Sequence, residues 1–202
     1  MPQLLITFVP SLCMLAAMAV AGVLFQVDMD VMTRDVTATA NVHPLTGILS
    51  NLGILLWCAA ASICAFAAVT LRNVKPGEAF RFLLCSALLS AYLLLDDFFL
   101  FHDELAPRYL GVDEKLVYAA LGIAVSAYLI AFWRVILQTH FAVLLLALGF
   151  LGIAVVMDAL LEPWLRRLGH WEYFVEDGAK WLGIAAWCSY YVRTSYQLVA
   201  RR

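Results

Sequence analysis

The residues best able to do chemistry in this chain are carboxylates, one histidine and one lysine embedded in apolar sequence. Leu95 to Glu104 reads LDDFFLFHDE, which places Asp96, Asp97, His102, Asp103 and Glu104 around the end of one hydrophobic run. Asp158 and Glu162 stand four residues apart at the end of another run, and Glu176, Asp177 and Lys180 open the last one. Ser50 and Asn51 begin a further run. An ionisable group inside a membrane span costs about 2.5–3.5 kcal/mol on insertion scales, so each needs a partner or a task. One lysine does not need Asp96, Asp97, Asp158, Glu162, Glu176 and Asp177 around it. The surplus carboxylates must be protonated, hydrated or bound to a cation.

Helical spacing constrains which of these groups meet. In a continuous helix Asp96 lies about 9 Å along the axis from His102 at 1.5 Å per residue. Asp96 and Asp103 then share one face, and Asp97 and Glu104 the next. Glu176 and Lys180 are i,i+4 in the order that favours a salt bridge, so Lys180 is expected to be neutralised by Glu176 or by an aspartate of the third run, 80–101, and acids at 176 and 177 suit a helix N-terminus.

The elements that must position these groups follow from composition. Of 202 residues, 64% are hydrophobic and 14% charged, with a mean hydropathy of +0.88. A soluble domain is about half apolar and about a quarter charged, so the chain reads as a multi-pass integral membrane protein whose first partner is the lipid bilayer. Thirteen basic residues against fifteen acidic ones leave a net charge of −2, which excludes a nucleic-acid partner. The five cysteines lie inside apolar runs without a CxxC pair, so disulfides and thiolate zinc sites are not expected.

Runs of about 20 apolar residues mark membrane helices. Six occur, at about 4–25, 48–71, 80–101, 116–137, 141–161 and 174–197, and they are apolar on all sides rather than alternating as barrel strands do. The expected fold is therefore all-α: a single transmembrane domain over 1–202, a bundle of six helices. Ala19-Val20-Ala21 resembles a signal-peptidase site, but the first run lacks a positive leader and is long for a signal peptide. Pro10 is expected to bend the first helix or to sit in its first turns. Short-loop basic residues divide seven to six in favour of an inside N-terminus, which gives an N-in, C-in topology by the positive-inside rule, in a bacterial cytoplasmic membrane. Fourteen of the fifteen acids then fall in the outer half. The loop acids Asp28, Asp30, Asp35, Asp113 and Glu114 read as a solvated rim. Val27 to Gly47 is a polar connection, and Pro163 to Tyr173, with its tryptophans, reads as an interfacial segment.

The leading expectation is a site in the outer half, formed by Asn51, Asp96, Asp97, Asp158, Glu176, Lys180 and His102, that binds a cation or polar ligand or relays protons. A divalent cation there would be held by His102, Asp96, Asp97 and Asp158, oxygen-rich ligands with one imidazole. The alternative is an accessory subunit of a larger respiratory or photosynthetic membrane complex, or a homo-oligomer, in which the cluster only locks helices in register.

Ser50-Asn51 near the end of a span, a deep aspartate on the next helix and an i,i+4 pair on the last are similar to membrane zinc hydrolases such as the alkaline ceramidases. That similarity implies a third reading, a membrane-embedded metal-dependent hydrolase. Those enzymes carry three histidines, two of them as HxxxH on the final helix. Here Glu176 and Lys180 hold that spacing, and the chain has four histidines in all.

Overall fold

The computed structural model describes residues 2–34, 36–72, 77–161, 167, 169 and 171–201. Among them the chain is helical, without strands. It divides into two units, residues 1–47 and 48–202. The first contains α1 (Pro2–Phe25) and the short helices α2 (Met29–Thr33) and α3 (Val36–Ala40). The polar connection after the first run is therefore partly helical. Nothing in α2 or α3 is buried.

The second unit carries α4 (Ile48–Arg72), α5 (Glu78–Phe99), a π-helix π1 (Phe101–Leu110), α6 (Glu114–Leu137), α7 (Phe141–Val156) continued by a π-turn π2 (Met157–Leu161), and α8 (Trp171–Ala200). By length and composition α4, α5 and α6 can each cross a membrane, and Ser11–Phe25 and α7 are shorter apolar helices. The chain is thus a membrane protein by these three helices.

The bundle closes because α4 presents a narrow, small-residue stripe. Its buried positions, Trp57, Ala60, Cys64, Ala67, Ala68 and Leu71, recur every three or four residues, so they form one seam. α4 packs on α5 and α8, and α7 packs on α8. With lipid as solvent, close approach of small residues supplies van der Waals contact that hydrophobic transfer cannot. Large rings fill the centre: Trp57 meets Trp187 edge-on at 5.6 Å between centroids, and Trp187 lies 5.1 Å from Tyr191.

Several buried hydroxyls in this core are paired across helices. Ser86 Oγ donates to the Phe82 carbonyl at 2.7 Å and lies 2.7 Å from Tyr128 Oη, which lies 2.8 Å from Tyr191 Oη. Trp187 Nε1 donates to Ser90 Oγ at 3.0 Å. These contacts fasten α5, α6 and α8 at fixed register.

At Gly183 the α7–α8 contact is close enough to require glycine. A Cβ there would meet Leu151 Cγ at 2.7 Å and the Leu151 backbone nitrogen at 3.0 Å, whereas at Gly178 nothing lies within 4 Å. Gly183→Val should therefore lower stability by about 1–3 kcal/mol through overpacking, while Gly178→Ala should leave it unchanged or slightly raised, as measured by thermal unfolding in detergent.

Candidate functional site

The acidic end of the bundle is organised by a break after α5. Leu100 adopts a left-handed conformation at φ 50°, ψ 48°, and π1 follows, containing Pro107 and ending at Gly111, φ 64°. A left-handed leucine costs energy, about 1–2 kcal/mol. In return the backbone leaves the α-helical path there, and His102 meets a residue of the helix it has just left. His102 Nδ1 lies 2.7 Å from Asp96 Oδ2, and both side chains are more than nine-tenths buried. The continuous helix expected through Phe101 would have kept these groups about a turn and a half apart and on different faces. The αL residue is the physical reason that expectation fails.

Bound at Nδ1, His102 turns Nε2 toward the exposed residue Asp103, at 3.3 Å from its Oδ1. Asp103, Glu114 and Asp158 bring carboxylate oxygens within 4.8 Å of one another. They come from π1, the first turn of α6 and π2, so three separate elements converge. Tyr118, one turn after Glu114, donates from its hydroxyl to Asp158 Oδ2 at 2.7 Å, and its ring packs 4.9 Å from the His102 ring. The N-terminus of α6 is fixed by Asp113, whose side chain accepts from the Lys115 backbone N–H at 2.8 Å.

Electrostatics follow from this crowding. Burial disfavours the His102 imidazolium, but the hydrogen bond and charge of Asp96 outweigh it and raise its pKa above the ordinary value. Burial also raises the Asp103 carboxyl, with His102 opposing and Asp158 reinforcing. One Asp96 oxygen, Oδ1, is buried with no hydrogen-bond partner among the described residues.

A second constellation lies beside the first. Asp97 Oδ2 accepts from Trp57 Nε1 at 2.8 Å, and Asp97 Oδ1 pairs with Lys180 Nζ at 2.7 Å. α4, α5 and α8 are thereby joined at one carboxylate. A small cleft next to it is bounded by Ser50, Asp97, Asp177 and Lys180.

The expected residues thus separate into two groups. Asp96, His102 and Asp158 belong to the carboxylate cluster, while Asp97 and Lys180 form the ion pair. Asn51 is exposed, and Ser50 rather than Asn51 borders the cleft. Glu176 is half-buried on α8, and the short Lys180 bond runs to Asp97 across helices. Glu162 lies outside the described residues. Sequence reasoning missed Trp57 and Tyr118 as partners and placed Glu114 on a solvated rim. A signal existed for the last: Glu114 and Tyr118 are i,i+4 on an otherwise apolar helix, so they share a face.

A family model described as "Domain of unknown function (DUF8692)" matches residues 9–194, and the chain belongs to that family. No curated protein and no solved structure matches it.

Neutralising Asp97 leaves a half-buried ammonium and an indole N–H facing a weaker acceptor. Asp97→Asn should lower the melting temperature in detergent more than Asp177→Asn does. A double-mutant cycle with Lys180→Met should return a coupling of about 1 kcal/mol, modest because the lysine end reaches solvent.

Proposed function

We propose that this protein is a six-span membrane protein, with both termini on the cytoplasmic side, that binds a divalent transition-metal cation in the outer half of its bundle. The ligands are His102 through Nε2 and the carboxylates of Asp103, Glu114 and Asp158. The observation that carries this reading is the orientation of His102: its Nδ1 is taken by the buried Asp96, so the other nitrogen is turned to Asp103, one of the three carboxylates whose oxygens converge. Metal-bound histidines are characteristically held this way, by an outer carboxylate that fixes tautomer and ring plane. Tyr118 does the same for Asp158 through its hydroxyl.

The donor set also argues for the class of ion. Calcium and magnesium take oxygen ligands alone, whereas one imidazole with three carboxylates suits zinc, manganese or iron. Three carboxylates crowded at a membrane surface repel one another, and a dication relieves that repulsion. Lys180 does not oppose the ion, since it is neutralised by Asp97.

Titrating the detergent-purified protein with cobalt(II) and following its visible absorption tests the reading. One saturable site is expected. Asp158→Asn and Glu114→Gln should each abolish the spectrum, Asp96→Asn should weaken binding by about 10–100-fold through loss of the outer partner, and Asp97→Asn, which uncovers the Lys180 charge without touching a ligand, should weaken it less than Asp96→Asn does. Absence of a saturable spectrum in the wild type, or its survival in Asp158→Asn and Glu114→Gln, would overturn the proposal. Reporter fusions at each terminus test the topology, which requires both to report a cytoplasmic location.

A further inference from the structure

π1 is joined to its neighbours through a left-handed residue at each end. Leu100, φ 50°, precedes it, and Gly111, φ 64°, follows it. Both are exposed, and nothing lies within 4 Å of where a Gly111 side chain would be. Between these two joints only His102 and Ala106 are buried, four residues apart. Asp103, Glu104 and Arg108 are exposed, and their charges keep the segment out of lipid.

What holds π1 in place is concentrated in one side chain. His102 sets Nδ1 against Asp96 on α5, lays its ring 4.9 Å from Tyr118 on α6 and turns Nε2 to Asp103. Asp103 in turn brings a carboxylate oxygen within 4.8 Å of those of Glu114 and Asp158. A dication among these three acids draws π1 toward α6 and π2. Without one they push it away, because like charges so close repel.

We infer that π1 is a hinged strap operated by the cation. Loaded, it is closed, with His102 on Asp96. Emptied, it swings on Leu100 and Gly111 and frees both side chains. A hinge needs only a few joint residues that absorb a change in φ and ψ. Opening also lets Leu100 leave a region that its side chain disfavours, so part of the drive is stored in the backbone. The occupied and the empty protein then present different acidic ends, which turns a binding site into a switch. This inference rests on the proposed cation site and adds its regulation.

Since the ion binds the closed form, closing and binding are one coupled equilibrium. The empty strap is open most of the time, so a change that favours the open form about tenfold weakens the ion by the same factor.

Hydrogen exchange of the full chain in detergent, read by mass spectrometry with and without cobalt(II), tests the strap. Saturating cobalt should slow exchange about tenfold or more across π1, as far as Tyr109 and Leu110 and so beyond the ligands, and leave the buried stretch of α4 unchanged. Gly111→Val touches no ligand but forces a β-branched residue into the left-handed region. At one cobalt concentration it should speed exchange in π1 about tenfold and weaken cobalt binding equally. Unchanged exchange in α4 shows that the variant folds. If it does not, Gly111→Ala replaces it, with a smaller but again equal pair of factors. Cobalt binding with unaltered exchange in π1, protection confined to residues 102 and 103, or full affinity in the folded Gly111 variant would overturn the strap and leave the cation site standing. No cobalt spectrum in the wild type would overturn both.

Discussion

The contact between Asp96 and His102 sets the arrangement of the acidic end. It joins residues six apart in sequence, a separation that an α-helix places on different faces, so it exists only because the α-helix breaks at Leu100. π1 begins at that break and delivers Asp103 to the neighbourhood of Glu114 and Asp158. The left-handed leucine and the interrupted hydrogen bonding of a π-helix both cost free energy. Strained backbone of this kind concentrates at sites that bind or react, and here it lies within a few residues of the most crowded acids described in the chain.

The interior away from that end solves a different problem. Without water, a buried hydroxyl or indole N–H is costly unless it finds a partner within the bundle. Ser86, Tyr128 and Tyr191 satisfy one another across three helices, and Trp187 uses Ser90. Asp97 works in the same way but at the boundary, taking one donor from α4 and one cation from α8. The polar groups thus divide by environment. Those deep in the core pair internally and fix register, whereas those near π1 and π2 assemble like-charged carboxylates, which pairing alone does not account for.

Much of the helical framework was legible in the sequence because apolar length is a strong signal. The runs expected at 48–71 and 116–137 appear as Ile48–Arg72 and Glu114–Leu137, and the last run appears as a longer helix, Trp171–Ala200. The break at Leu100 was not legible, since leucine is a good helix former and nothing local marks it for the left-handed region. Extending α5 through Phe101 led to a common face for Asp96 and Asp103 and hid the fold-back of His102. Asp158 and Lys180 stood out in the sequence as polar groups needing partners; Tyr118, the partner of Asp158, depends on how distant helices pack. For Lys180 the sequence left two partners open, Glu176 at i,i+4 or an aspartate of the third run, and the short bond runs to Asp97 of that run. Glu114, expected on a solvated rim, is partly exposed, and its approach to Asp103 and Asp158 depends on neighbouring elements that spacing cannot reveal.

Anomalous diffraction from crystals of the purified protein grown with manganese(II) bears most directly on the central claim. The account requires one ordered ion at about 2.0–2.2 Å from His102 Nε2 and from carboxylate oxygens of Asp103, Glu114 and Asp158, with Asp96 on Nδ1 and outside the coordination sphere. Density lying instead at Asp97 and Lys180, or crystals in which the three carboxylates hold no ion while His102 remains hydrogen-bonded to Asp96, would contradict it.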